Sequence, residues 1–188
     1  MSYPSLRTLS VRHGSHVTVH AMQATILRTE RLTVEPLRVS DADELAGVLG
    51  DRALHAYIGG RPATAAELRR RYERLVAGSD AAGEIWLNWV VRSDGDAVGT
   101  LQATLVAVGD AYRADVAWVI GVRWQGKGYA SEGAGALVEW LRHRGVDPIT
   151  ANIHPEHAAS AAVARRAGLH RTDALHDGEV VWRTFPRA

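Results

Sequence analysis

From Trp118 to Ala130 the chain reads Trp-Val-Ile-Gly-Val-Arg-Trp-Gln-Gly-Lys-Gly-Tyr-Ala, passing from an apolar strand straight into a helix start. The first turn of a helix leaves main-chain N–H groups unpaired and carries the positive end of the helix dipole. Glycines at 126 and 128 let a bulky anion come close to the main chain. Such a turn can hold phosphate. Glycines at a strand-to-helix junction also serve the turn alone, and the spacing by itself leaves both readings open. Two other phosphate motifs fit worse. The dinucleotide fingerprint needs glycine where Ser131 stands, and the P-loop needs Ser or Thr where Gly128 follows Lys127.

Other constellations carry less. His13-x-x-His16-x-x-x-His20 and His154-x-x-His157 have spacings that suit zinc, but there is no cysteine and no carboxylate set to complete four ligands, so no metal site is expected. No Gly-x-Ser-x-Gly elbow occurs, which sets a serine hydrolase aside. Arg69-Arg70-Arg71, with Glu73 and Arg74, reads as a solvated basic helix face. Trp86 and Trp89 fall on opposite faces of one strand, so one of them is expected to line a cleft.

The elements that position the loop follow from periodicity. Residues 30–37 alternate as a half-buried strand. Ser40 with Asp43, and Thr64 with Glu67, read as capping boxes opening two helices. Three strands follow at 85–92, 98–108 and 112–120, divided by Asp94-Gly95-Asp96 and Gly109-Asp110, which predicts an antiparallel meander. A helix over 128–143, a strand over 149–153, a helix ending at Gly168 and a strand over 179–185 complete the order. Alternation puts Tyr112, Ala114, Val116 and Trp118 on one face of their strand and Asp115 on the other.

Bulk properties narrow the class. A chain of 188 residues suits one domain. With 22 basic and 21 acidic side chains, the formal charge of +1 predicts no global attraction to nucleic acid or to an anionic membrane. There are no cysteines and no apolar run long enough to span a bilayer, which suits a cytoplasmic enzyme. The first 29 residues lack acidic side chains but carry Arg7, Arg12 and Arg28, a transit-peptide-like composition. The plainer expectation is a disordered extension over 1–25, with one domain over 26–188 and Met22 as an alternative start.

Gln125-x-x-Gly128-x-Ala130 resembles the Arg/Gln-x-x-Gly-x-Gly/Ala signature of the GNAT superfamily of N-acetyltransferases, in the strand-to-helix setting that family uses. Residues 115–132 resemble the motif of its ribosomal-protein N-terminal acetyltransferase branch. His154-Pro155-Glu156-His157-Ala158-Ala159-Ser160, closing at Gly168-Leu169, resembles that branch's second motif. The likeness runs from about Glu30 to the end of the chain.

The resemblance implies an α/β (mixed α+β) acetyltransferase fold, a mostly antiparallel central sheet of about six to seven strands flanked by about four helices. It implies acetyl-CoA as cosubstrate. The backbone of Trp118 and Ile120, with Val122 beyond them, would pair with the pantetheine arm as a pseudo-strand. Amides of Gln125, Gly126, Lys127, Gly128, Tyr129 and Ala130 would hold the pyrophosphate, and His157 stands where the family has a cofactor-binding asparagine. Asp115 is the implied general base. Ser160 is the implied proton donor to the thiolate, since the family's frequent tyrosine position is Ala164 here. The acceptor is an amine, either a protein N-terminus or a small molecule such as an amino acid, polyamine or antibiotic. A non-catalytic acyl-CoA-binding module is the alternative. No nucleic-acid or membrane partner is implied, and the chain is expected to be a monomer or homodimer.

Overall fold

The computed structural model describes residues 22–185. In chain order the elements are β1 (Leu27–Arg28), β2 (Thr33–Pro36), α1 (Ala42–Val48), α2 (His55–Ile58), α3 (Ala65–Ala77), β3 (Glu84–Ser93), β4 (Asp96–Val108), β5 (Ala111–Ile120), α4 (Tyr129–Arg142), β6 (Ile149–Ile153), α5 (Ala158–Arg166), β7 (His170–His176) and β8 (Glu179–Arg183). One sheet of eight strands runs β1-β2-β3-β4-β5-β6-β8-β7. All neighbours pair antiparallel except β5 and β6, which are parallel.

Among the described residues the sheet therefore has more strands than the about six to seven expected, and five helices stand where about four were expected. The additions are the elements periodicity cannot reveal. β1 is two residues long and α2 four, and β7 is a largely exposed edge strand with no apolar alternation. The meander of β3, β4 and β5 forms as expected, with Asp94 (φ 52°) and Gly95 (φ 90°) in its first turn.

Of the two expected capping boxes, one forms. Thr64 Oγ1 accepts from the Glu67 amide at 3.2 Å, and the Thr64 amide donates to the Glu67 carboxylate at 2.8 Å. Ser40 and Asp43 do not form the other. A 3-10 turn over Val39–Asp41 comes first, the Arg38 amide donates to Asp41 at 2.7 Å, and Asp43 faces Arg69 at 2.7 Å.

Helices α4 and α5 bury Leu137, Val138, Leu141 and Val163 against Leu101, Leu105, Ile149 and Ala151 of the sheet. Helices α1 and α3 bury Leu45, Val48, Leu68 and Tyr72 against Val90 and Ala97. Each core side chain of this size removed from water contributes roughly 1.5–3 kcal/mol. Thr25 is held twice: its carbonyl accepts from Trp89 Nε1 and its hydroxyl from Trp140 Nε1, both at 2.9 Å. The two indoles meet edge to face at 5.6 Å. Of the extension expected to be disordered over 1–25, residues 1–21, with His13, His16 and His20, lie outside the described residues, and Thr25 is bonded as above. Among the described residues no helix is long and apolar enough to cross a membrane.

Candidate active site

The site begins with a gap in the sheet. β5 and β6 pair only at Ala114–Ile149 and Asp115–Thr150; beyond these the strands part. Gly99 faces Ile120 across the β4–β5 ladder, and the Gly121 amide donates to the Val98 carbonyl at 2.9 Å. In an antiparallel ladder that pattern turns the main-chain groups of residues 116, 118 and 120 away from β4 and toward β6. The Ala114 amide, two residues earlier in the same phase, donates across to Pro148 at 3.0 Å. Trp118 and Ile120 thus present backbone polar groups to the opening rather than to a strand. One of these groups is taken, since Gln125 Nε2 donates to the Ile120 carbonyl at 3.0 Å.

The loop after β5 ends in an uncapped helix. Gly128 is the N-cap of α4, with φ 84° and no side-chain cap. The first intrahelical bond runs from the Glu132 amide to the Gly128 carbonyl at 3.1 Å, so the amides of Tyr129, Ala130 and Ser131 have no helical partner. Gly126 also has a positive φ, 77°. The Gln125 amide is the exception among the expected phosphate ligands, since it donates to the Val122 carbonyl at 3.2 Å. A row of open N–H donors at the positive end of a helix suits a pyrophosphate, and the opening beside Trp118 suits an amide-bearing arm.

Sequence reading missed the brace of this loop. Arg31 NH1 donates to the Lys127 carbonyl at 2.9 Å, and Arg31 NH2 lies 2.6 Å from the Glu132 carboxylate. Glu132 also accepts from Thr29 Oγ1 at 2.6 Å and from the Arg31 amide at 2.9 Å. Burial pushes the Glu132 carboxyl up, but the Thr29 and Arg31 hydrogen bonds outweigh it and hold the group below its ordinary value. The only local signal was an acidic residue in the first turn of α4.

A cleft of about 1180 Å³ follows the gap and the loop, and continues between α3 and the middle of the sheet. Trp118, Ile120, Val122, the run 125–130, His157 and Ser160 all line it. Asp115 does not. Its carboxylate accepts from the Thr150 hydroxyl and pairs with Arg113 at 3.0 Å on the outward face, and no bulge interrupts the β4–β5 register there. Two other carboxylates, Glu35 on β2 and Glu84 at the start of β3, are also engaged elsewhere: Glu35 faces Arg92 at 3.2 Å, and Glu84 accepts from Trp86 Nε1 at 2.7 Å. Of the two tryptophans on β3, Trp89 is the one that reaches the lining.

His157 ends the loop before α5 and stacks on Tyr57 of α2, with ring centroids 4.0 Å apart and planes at 18°. Burial disfavours its charged form, and the neighbouring His154 adds to this, so the ring titrates below its ordinary value. Ser160 follows in the first turn of α5, and no hydrogen bond to its hydroxyl forms among the described residues. Ala164 is fully buried and has no proton to give.

A sheet that parts beside an uncapped helix start offers room for an amide-bearing arm and open N–H donors for a phosphate group. The sequence matches the family described as acetyltransferase (GNAT) domain over residues 31–170, and the chain belongs to that family. It is similar to the uncharacterized N-acetyltransferase p20 of Bacillus licheniformis, 24% identical over 155 residues, 81% of this chain and 86% of the relative. The fold is shared with the GNAT-family acetyltransferase of Bacillus anthracis, with a TM-score of 0.65, 21% identity, and 85% and 94% of the two chains covered. It is shared with AAC(6')-Ib in complex with paromomycin and acetyl-CoA, with a TM-score of 0.65, 19% identity, and 82% and 92% covered. It is also shared with RimL, a ribosomal L7/L12 alpha-N-protein acetyltransferase in complex with coenzyme A, with a TM-score of 0.68, 16% identity, and 85% and 97% covered.

Proposed function

We propose that this protein moves an acetyl group from acetyl-CoA directly to a primary amine. The observation that carries the reading is the parting of β5 from β6 beside the uncapped start of α4. Main-chain groups of Trp118 hold the pantetheine arm, with Ile120 and Val122 beside it, and the open amides from Gly126 to Ala130 hold the pyrophosphate. His157 flanks the arm from the α5 side. Residues 26–188 act as one domain.

Acetyl-CoA supplies an activated thioester. The neutral amine attacks its carbonyl carbon, so a C–N bond forms and the C–S bond breaks, and the amine's proton leaves through water in the open cleft. Ser160 gives its hydroxyl proton to the departing thiolate and regains one from that water. With Asp115 outside the cleft and held by Thr150 and Arg113, its role is to fasten β5 to β6. Of the structural relatives, RimL supports a protein N-terminus as acceptor and AAC(6')-Ib supports a small polyamine antibiotic.

Calorimetry with acetyl-CoA, followed by thiol release over an amine panel, tests the reading. Failure to bind at millimolar acetyl-CoA overturns it. Binding with no turnover on any amine leaves a non-catalytic acyl-CoA-binding module instead.

A further inference from the structure

The ionised side chains along the cleft are unequal in sign. Arg61, Arg71, Lys127 and Arg166 line it, and among the described residues Glu179 is the one carboxylate that does. These cations do not all face the same task. Arg61 is paired with Glu67 at 2.5 Å. Lys127 belongs to the loop assigned to the pyrophosphate, and Arg166 lies on the α5 face that carries Ser160 and Val163, roughly 9 Å along the helix from Ser160. Both can answer the negative charge of the cofactor.

Arg71 is placed differently. It stands on α3 with Leu68, Tyr72 and Leu75 at helical spacing, and all four line the cleft. Its near neighbour Arg69 is held by Asp43 at 2.7 Å, but Arg71 makes no salt bridge or side-chain hydrogen bond among the described residues. Tyr72 beside it is buried, its hydroxyl has no partner among the described residues, and burial pushes its pKa to about 12, so it stays protonated. The α3 residues that line the cleft therefore include the positive charge of Arg71 and no carboxylate.

With Arg61 paired to Glu67, and Lys127 and Arg166 placed to answer the cofactor, Arg71 is the cation left facing the acceptor. An ammonium group seated at Arg71 meets like charge, whereas a carboxylate there gains a partner. We infer that the acceptor carries a carboxylate close to its reactive amine, that Arg71 holds this carboxylate, and that Glu179 is left to receive the amine end. The inference rests on the transfer reading above and names its acceptor class: a carboxylate-bearing amine, supplied either as a free amino acid or as a peptide with acidic residues next to its N-terminus.

With acetyl-CoA saturating, thiol release is measured on glutamate, on a hexapeptide with Glu at positions two and three, on its Lys counterpart, on spermidine and on paromomycin. The carboxylate-bearing amines are expected to exceed the basic ones in kcat/KM by about tenfold or more. Glutamate or the acidic peptide, whichever turns over, identifies the source. Arg71→Glu is expected to raise the KM of that acceptor about tenfold, improve the basic amines, and leave the acetyl-CoA KM within about twofold. Arg71→Lys is expected to restore part of the loss. A preference for spermidine or paromomycin, or a preference unchanged in Arg71→Glu, overturns the acceptor inference while leaving acetyl transfer standing. No turnover on any amine overturns both.

Discussion

The Arg31 guanidinium and the Glu132 carboxylate meet at 2.6 Å although 101 residues separate them, and the same guanidinium donates to the Lys127 carbonyl at 2.9 Å. A residue preceding β2 thereby sets the exit of the loop after β5 and the first turn of α4. The Glu132 side chain is only 17% exposed, so its loss of partners is felt. Arg31→Ala is expected to lower stability by about 1–3 kcal/mol in urea unfolding and to weaken acetyl-CoA binding several-fold in calorimetry. Unchanged affinity in a destabilised variant would mean that the loop holds its shape without the brace.

Gly128 makes a sharper prediction. At φ 84° any L side chain is strained by roughly 1–2 kcal/mol, and a Cβ there would sit 3.3 Å from the Arg31 guanidinium. Gly128→Ala should reduce acetyl-CoA affinity about tenfold while the protein stays folded. Gly135, inside α4 with nothing within 4 Å of its would-be Cβ, is the counter-case. Gly135→Ala should stabilise by about 0.5–1 kcal/mol. Equal effects at the two sites would remove the argument for a special loop geometry.

Ser160 and Asp115 separate chemistry from scaffolding. Ser160→Ala is expected to cut kcat about a hundredfold with acetyl-CoA binding intact. Asp115→Asn is expected to cost about 1 kcal/mol of stability, through the weakened Thr150 and Arg113 contacts, and to leave kcat within about twofold. The reverse pattern in steady-state kinetics would restore Asp115 to the chemistry and remove Ser160 from it.

Acid sensitivity should trace to His157. Its folded-state pKa lies below the ordinary 6.5, because burial and then His154 disfavour the charged ring. The unfolded chain therefore takes up the proton first. Its contribution to stability is full above pH 6.5 and declines as pH falls from there through the folded-state value. Denaturant midpoints measured from pH 7.5 downward should fall less steeply in His157→Asn than in the parent. Parallel curves would assign the decline to other groups, Glu132 among them at lower pH, where its depressed carboxyl finally protonates.

Much of the site was legible because it depends on the chain's own backbone. Gly126 and Gly128 mark a strand-to-helix turn in any context, and period-two alternation placed Asp115 on the outward face, where it lies. What escaped depends on distant partners. Nothing local tells that Arg31 reaches Glu132, that Tyr57 lies on His157, or that, among the described residues, Arg71 lacks the counter-ion Arg69 has. Asp115 as base was suggested by resemblance, and its engagement by Thr150 appears only once β6 is laid beside β5. The Ser40–Asp43 box failed for a different reason: a 3-10 turn has no sequence period of its own and moved the helix start to Ala42.

Only the two pairs Ala114–Ile149 and Asp115–Thr150 stitch β5 to β6, so the strands β1 to β5 and the trio β6, β8 and β7 share a short seam in an otherwise continuous sheet. A cosubstrate lying along the opening would act as a missing rung for both sides. Its binding energy would then appear as resistance to unfolding, about 2.7 kcal/mol at a hundred times the dissociation constant. Resistance of the folded chain to an added protease would then rise with the concentration of acetyl-CoA supplied.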